Sequence, residues 1–597
     1  MLKTNTELHD MIQSVATKSL KILLKTKAEP EKVTLFLKQF IDLSTDFQVM
    51  ILALCKDPEK LWQMQLGYLQ DTIGLLQSNM EQWLTGTPIH TSDKRFANDA
   101  WINNPFFHLL SQHYLLASEH LNSLLAHLDY GDPHIAKRIQ FFTRQYLEAL
   151  SPDNFLHTNP QIIAETLQSH GANLLRGLNN LLTDLEAGAA HILIKMTDNE
   201  AFHIGENIAI TKGQVIFRNE LMELIEYKAQ TKTVYTVPLL IIPAWINKYY
   251  ILDLSQNNSL VKWLVQQGFR VFIISWVNPD ARLAHKSIYD YLKEGPDKAL
   301  QIIQKQCNTK HINTLGFCIG GTLLAMLLAY HKACNKNIIC SATFLAAMID
   351  FSDVGDMAVF INEQQVTQLE KEMDKKGFLD GRFMTSAFNA LRSTDLVWSF
   401  FIKHYLRGQA PVPFDILYWN TDATNMPQKM HSQYLRWMYL NNDLIKPNKI
   451  KFKHTPIDIS QIDVPSFFVA TKKDHIAPWH TVYLGYQAVN GDKTFLLGQS
   501  GHIAGIINPP SNEKYGFNYN TNTAATADDW LNTATFQTGS WWPTWSMWLK
   551  KRSGRRIKAL NLNPAYHSIM DAPGSYVLMK CDNVEIKDRT TRIPYEK

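Results

Sequence analysis

The sequence predicts an α/β fold preceded by an all-α domain, on three observations. Residues 1 to about 190 place apolar side chains at three- and four-residue spacing, with no β-rich run between them. From about residue 236 short apolar runs of strand length alternate with helical ones. One such run, Ile312 to Phe317, passes through Gly316-Phe317-Cys318-Ile319-Gly320-Gly321 straight into an apolar helix reaching Tyr330. A chain of 597 residues is too long for one domain of typical size, and 45% hydrophobic with 11% aromatic content is ample for a large core.

In chain order, helical periodicity is clearest in Met11 to Leu24, Val33 to Leu43 and Leu61 to Leu84. Thr85-Gly86-Thr87-Pro88-Ile89 reads as a loop. The aromatic block after it, with Phe96, Trp101, Phe106, Phe107 and Tyr114, reads first as core and second as a surface for a partner or an apolar product. Strands are expected at Pro238 to Pro243, Phe269 to Trp276, Ile312 to Phe317, Ile338 to Met348, Val464 to Thr471 and Lys493 to Gly498, the last of the series. Helices are expected over 282–306 and from Thr481 to Val489. Between Phe351 and about Ile462 the alternation stops, and aromatics such as Phe383, Phe388, Trp398, Phe401, Tyr418 and Trp419 accumulate. An insertion at that point suits a cap over a site, the alternative being a second domain with no gating role. The expected divisions are therefore 1–190, helical; 191–597, α/β; and 351–462, the cap inserted in it.

The stretch around Cys318 carries the chemistry. Glycines two before and two after a cysteine, between a strand and a helix, match the G-x-S-x-G nucleophile elbow of the α/β-hydrolase fold with sulfur in place of the serine oxygen. Gly316 and Gly320 are needed because the reversal leaves no room for a Cβ at either neighbour. A thiolate at Cys318 would be stabilised by the helix N-terminus, and the N–H of Ile319 points where an oxyanion would form. The plainer alternatives are a buried core cysteine, or a membrane span, for which the apolar stretch is shorter than the roughly 20 residues required. An acid and a histidine should then follow at strand ends. Asp474 lies just past the strand ending at Thr471, and His502 just past the one ending at Gly498. Among 21 histidines, His475 is the main rival to His502, but it adjoins Asp474 and points to the other side of the chain. Asp350 and Asp353 are rival acids whose simpler role is to cap the next helix.

Composition narrows the class. With 59 basic against 55 acidic residues the net charge is +4, which argues against a dedicated nucleic-acid binder and supplies no polybasic membrane anchor. Six cysteines, at 55, 307, 318, 334, 340 and 581, include no C-x-x-C pair and no histidine at zinc-finger spacing. Free thiols in a reducing cytoplasm and no metal site are therefore expected. The N-terminal residues lack the charged and apolar regions of a secretory signal.

With these stations placed, the chain strongly resembles the class I polyhydroxyalkanoate synthases over roughly residues 90 to 580. The motifs that carry the resemblance are Gly316-Phe317-Cys318-Ile319-Gly320-Gly321-Thr322, Ile246-Asn247-Lys248-Tyr249-Tyr250 through Leu254, Phe217-Arg218-Asn219-Glu220-Leu221, Pro411-Val412-Pro413-Phe414-Asp415, Asp474-His475-Ile476, Gly501-His502-Ile503-Ala504-Gly505 through Pro510, and Gly539-Ser540-Trp541-Trp542-Pro543. The resemblance implies that Cys318, Asp474 and His502 are the catalytic residues. It also implies polymerisation of (R)-3-hydroxyacyl-CoA with release of CoA, no metal or organic cofactor, a homodimer, and residence on cytoplasmic polyester granules. Where the family usually has Pro-Pro-Cys, this chain has Pro243-Ala244-Trp245, a loop expected to supply the second oxyanion donor. Two other readings remain at this stage: a thioesterase or polyester depolymerase on the same fold, and a granule scaffold without catalysis.

Overall fold

In the computed structural model, which describes residues 13–15, 17, 18, 46–85, 91, 93–187, 194–559 and 568–581, the chain divides into two compact units. One takes the described residues of 1–198 together with 389–412, and the other those of 199–388 and 413–597. The segment expected as a cap, 351–462, is thus shared between them. The helices expected over 11–24 and 33–43 lie outside the described residues apart from 13–15, 17 and 18, and the loop expected over 85–89 lies outside them apart from Thr85, which ends the helix before it.

The first unit is helical: Pro58–Thr85, Pro105–Ala126, Pro133–Ala149, Pro160–Gln168 and Ala172–Ala187. Four of these start in the same way, Pro58–Thr85 with Asp57 Oδ1 accepting from Lys60 N at 3.0 Å. Asn104, Asp132 and Asn159 each accept hydrogen bonds from the first-turn N–H groups, and a proline, which has no N–H to satisfy, follows each of them. The aromatic block is core at Phe96 and Trp101, both buried with ring centroids 4.9 Å apart, whereas Phe106 is exposed. Residues 389–412 pack on Ala172–Ala187 through Tyr405, whose hydroxyl donates to Asp184 Oδ2 at 2.7 Å. Gly177 permits the approach, since a Cβ there would stand 1.7 Å from the Tyr405 carbonyl oxygen.

The second unit is built on one sheet of eleven strands among the described residues. They are β1 (Gly213–Arg218), β2 (Met222–Tyr227), β3 (Leu239–Ile242), β4 (Val271–Trp276), β5 (Ile312–Phe317), β6 (Ile339–Leu345), β7 (Ser466–Thr471), β8 (Lys493–Gly498), β9 (Phe517–Asn520), β10 (Thr535–Gln537) and β11 (Met570–Asp571). Their spatial order is β10-β9-β8-β7-β6-β5-β3-β4-β2-β1-β11. Strands β3 to β8 pair in parallel, and the rest antiparallel. The parallel strands are almost wholly buried, which is why they read as continuous apolar runs.

Where sequence and structure differ, polar composition or a backbone break explains it. The sheet begins at Gly213, before the expected onset near 236, because β2 carries Glu223 and Glu226 in its interior. Both are buried and paired, with Arg218 and Arg270, so their charges hide the strand without destabilising it. Lys493–Gly498 is not the last strand: β9 and β10 extend the edge antiparallel, and their polar residues Asn518, Asn520, Thr535 and Gln537 mask the pattern. The helix expected over 282–306 is interrupted at Gly295-Pro296, so that Ile288–Leu292 and Lys298–Cys307 are separate pieces.

Candidate active site

Strand β5 lies between β3 and β6, with Gly316 opposite both Ile242 and Phe344. The chain then reverses at Cys318, whose N–H donates to the Leu345 carbonyl at 2.9 Å, and enters the helix Ile319–Ala333. Cys318 sits at φ 53°, ψ −128°, a left-handed conformation that costs a non-glycine residue of order 1–3 kcal/mol. Close packing holds it there. A Cβ on Gly316 would lie 2.5 Å from Gly321 Cα, and one on Gly320 would lie 2.2 Å from the Ile242 carbonyl oxygen. As the first residue of the helix, Ile319 has its N–H outside the intrahelical ladder.

The acid stands at the end of β7. Asp474 Oδ1 accepts from the backbone N–H groups of Ile476 and Ala477 at 2.9 and 2.8 Å, and Oδ2 accepts from Thr471 Oγ1 at 3.2 Å. Those donors hold a carboxylate, so the 2.7 Å contact between Asp474 Oδ2 and His502 Nδ1 requires the proton on Nδ1. The remaining nitrogen, Nε2, is left for Cys318, which hydrogen-bonds the imidazole from the other side. Burial alone would push His502 down, but Asp474 and Cys318 hold it well above its ordinary value. Both side chains of the pair are buried.

The loop bearing His502 is itself braced. Trp541 Nε1 donates to the Gly505 carbonyl and Trp542 Nε1 to that of Ile506, each at 3.0 Å. Gly505 has no room for a Cβ, which would meet Thr471 Cγ2 at 2.4 Å. The Gly539 to Pro543 motif therefore supports the histidine, a role its sequence does not announce. The Lys248 to Leu254 part of the Ile246 motif is also architectural: it is buried, its Tyr250 hydroxyl donates to Asp422 and its Lys248 carbonyl accepts from Trp419 Nε1.

The rival residues fall elsewhere. Asp350 accepts from Ser352 N and Asn442 Nδ2, and Asp353 from Gly355 N, both holding turns. His475 stands on the turn after Asp474, and it is His502 that bonds the carboxylate. The Trp245 ring packs on Trp276 and Tyr291, with centroids 5.7 and 5.0 Å away, while Ile246 lines the cavity above Cys318. That cavity, of about 70 Å³, is otherwise lined by Ile319, Thr322, Ala346, Met348, Ile476 and Ala477 and by residues of the 351–462 segment such as Met357, Phe360, Phe383, His431 and Tyr434. The phenols of Tyr434 and Tyr439 lie close to Cys318; burial and then Tyr439 and Cys318 raise Tyr434, while burial raises Tyr439 against the lowering effect of its hydrogen bond with Tyr434. These three residues of the 351–462 segment, His431, Tyr434 and Tyr439, stand at no strand end, and only their proximity in space marks them.

The strand order, the strained cysteine on the turn after β5, and the acid and histidine after β7 and β8 define an α/β-hydrolase-fold protein with sulfur at the nucleophile position. Family comparison agrees: residues 237–509 match the α/β hydrolase fold family and residues 92–264 the family described as poly-beta-hydroxybutyrate polymerase (PhaC) N-terminus. A poly(3-hydroxyalkanoate) polymerase of Methylorubrum extorquens is 43% identical over 88% of this chain and 88% of its own. The poly(3-hydroxyalkanoate) polymerase subunit PhaC of Rhizobium meliloti is 43% identical over 82% of this chain and 80% of its own, and that of Cupriavidus necator 38% over 88% and 89%. The chain belongs to the poly(3-hydroxyalkanoate) polymerase family.

Proposed function

We propose that this chain is an acyltransferase that polymerises (R)-3-hydroxyacyl-CoA, short-chain units such as 3-hydroxybutyryl-CoA among them, into polyester with release of CoA. The observation that carries the reading is a cysteine on a nucleophile elbow, hydrogen-bonded to His502 and through it to Asp474, beneath an apolar cavity. In this mechanism Cys318 Sγ attacks the thioester carbonyl, its proton passes to His502 Nε2, and CoA leaves as the thiol with that proton. One thioester replaces another at little cost, so the acyl group keeps its transfer potential. His502 next takes the proton of the 3-hydroxyl of the incoming unit, whose oxygen attacks the Cys318 thioester and restores the sulfur. Asp474 keeps His502 in the required tautomer and steadies its positive form, and Ile319 N–H bonds the oxyanion, with a second donor from the Pro243-Ala244-Trp245 loop. No metal or organic cofactor takes part.

The test is to offer purified protein 3-hydroxyacyl-CoAs of several lengths and to measure CoA release alongside polymer mass. CoA release matched by polymer is the expected result. Release matched by free 3-hydroxy acid would instead make the protein a hydrolase, and no release at all would make it a scaffold.

In the same reading the enzyme acts in the cytoplasm at the surface of polyester granules. Support comes from the helix Pro58–Thr85, where Trp62, Leu66, Leu69, Ile73 and Leu76 recur at alternating four- and three-residue spacing and are exposed. No described helix is long and apolar enough to cross a membrane. The cap is proposed to gate the site and to contribute to a homodimer contact. A cavity of about 70 Å³ falls well below the several hundred Å³ typical of a ligand pocket, so its roof must move to admit an acyl-CoA. Amides of 351–462 should therefore exchange hydrogen faster than those of β3 to β8, and slow when a non-reactive acyl-CoA analogue binds. Uniform protection across cap and sheet, unchanged by the analogue, would remove the gating claim.

A further inference from the structure

His431 lies on the cap helix Gln428–Tyr434, is 1% exposed, and lines the same cavity as Cys318. Neither of its ring nitrogens has a hydrogen-bond partner among the described residues. Burial pushes its pKa down to about 4, so the imidazole is neutral at physiological pH and carries one donor and one acceptor. An unpaired buried polar group of this kind costs stability unless something satisfies it. The neighbouring polar groups have other engagements. Thr322 Oγ1 donates to the Met348 carbonyl at 2.7 Å, and Tyr434 and Tyr439 hydrogen-bond each other. Apart from these, from the Cys318 thiol and from Gln365, whose Oε1 is also without a partner among the described residues, the lining around His431 is aliphatic, thioether and aromatic.

Resting on the reading of this protein as a 3-hydroxyacyl transferase, the chemistry of the acyl chain supplies the missing group. The part of the substrate small enough for this cavity has two polar positions, the thioester carbonyl and the oxygen on C3. The carbonyl belongs at the elbow, against Ile319 N–H. We propose that His431 is a specificity-determining residue that hydrogen-bonds the C3 oxygen of the acyl chain in the cavity, and so selects 3-hydroxyacyl over unsubstituted acyl groups. As a hydroxyl that oxygen can donate to or accept from the imidazole, and as an ester oxygen it still accepts. A cavity that pairs a substrate hydroxyl rejects the analogue lacking it, because the protein's own polar group is then left unsatisfied.

The experiment compares 3-hydroxybutyryl-CoA with butyryl-CoA in single-turnover release of CoA by the intact protein, for the native chain, His431→Phe, His431→Gln and Gln365→Leu. Phenylalanine removes the hydrogen bond at similar volume and leaves no buried polar group, and glutamine restores a donor and an acceptor. The native protein should favour the hydroxylated substrate. His431→Phe should reduce that preference about tenfold or more, by slowing the hydroxylated substrate while leaving butyryl-CoA unchanged or faster, and His431→Gln should recover part of it. A role in packing alone would slow both substrates alike, and an unchanged ratio in folded His431→Phe and His431→Gln overturns the proposal. So does collapse of the ratio in Gln365→Leu with His431→Phe unaffected, which would assign the contact to Gln365. Failure of the native protein to release CoA from either substrate would instead overturn the acyltransferase reading on which the proposal stands.

Discussion

Cys318→Ala is expected to abolish both CoA release and polymer synthesis while leaving the protein folded. The elbow is shaped by Gly316, Gly320 and Gly321 and by the bond from Cys318 N–H to Leu345, none of which involves the sulfur. Alanine therefore keeps the turn and removes only the nucleophile. No other thiol can replace it. Burial raises Cys307 to about 12 and Cys340 and Cys581 to about 11, which keeps all three protonated, and Cys55 and Cys334 sit on no elbow. Cys318→Ser should fold equally well yet lose activity by about two orders of magnitude or more, because a hydroxyl is much harder to deprotonate and its ester transfers poorly. Intact-protein mass spectrometry after mixing with substrate is the direct measurement. Persistent acylation of the alanine variant would remove Cys318 from the mechanism, and a serine variant of comparable speed would make sulfur incidental.

The second large effect is expected at the imidazole. His502→Gln should slow CoA release by about 10²- to 10⁴-fold, the usual contribution of a positioned base, while His475→Gln has a far smaller effect. The difference is one of geometry, since Nδ1 of His502 is bonded to Asp474 at 2.7 Å and its other side faces Cys318. Asp474→Asn should approach the same loss by a different route. A side-chain amide can present its NH₂ to Nδ1, which shifts the histidine proton to Nε2 and leaves no acceptor for the cysteine. Circular dichroism must show all three variants folded, and rates in single turnover then rank them. Equal losses in His475→Gln and His502→Gln would show that the histidine after β7 is needed as well.

The cysteine, aspartate and histidine were legible in the sequence because each comes just after a parallel strand. Strands buried on both faces must be apolar along their length, so β5, β7 and β8 stand out as runs, and the residues past their ends lie at the carboxyl edge of the sheet, where a site forms. The glycine spacing around Cys318 was legible for a steric reason: no other residue fits within 2.5 Å of Gly321 Cα or within 2.2 Å of the Ile242 carbonyl. In the same way Asn104, Asp132 and Asn159, each followed by proline, announce helix starts through local bonds alone.

What only the tertiary structure decided depends on contacts between distant parts of the chain. Strand β2 hides its identity because Glu223 and Glu226 are neutralised by Arg218 and by Arg270, the latter from a different strand region. Residues 389–412 leave the rest of the inserted segment to pack on Ala172–Ala187, an attachment made at Gly177 and Asp184, more than two hundred residues earlier in the chain. Trp541 and Trp542 brace the His502 loop through carbonyls of Gly505 and Ile506, and His431 reaches the cavity of Cys318 from the 351–462 segment. Periodicity reports which face of an element is apolar, because burial acts on each residue where it stands. It cannot report which distant polar group a buried charge or imidazole will meet, because that pairing exists only once the chain has folded.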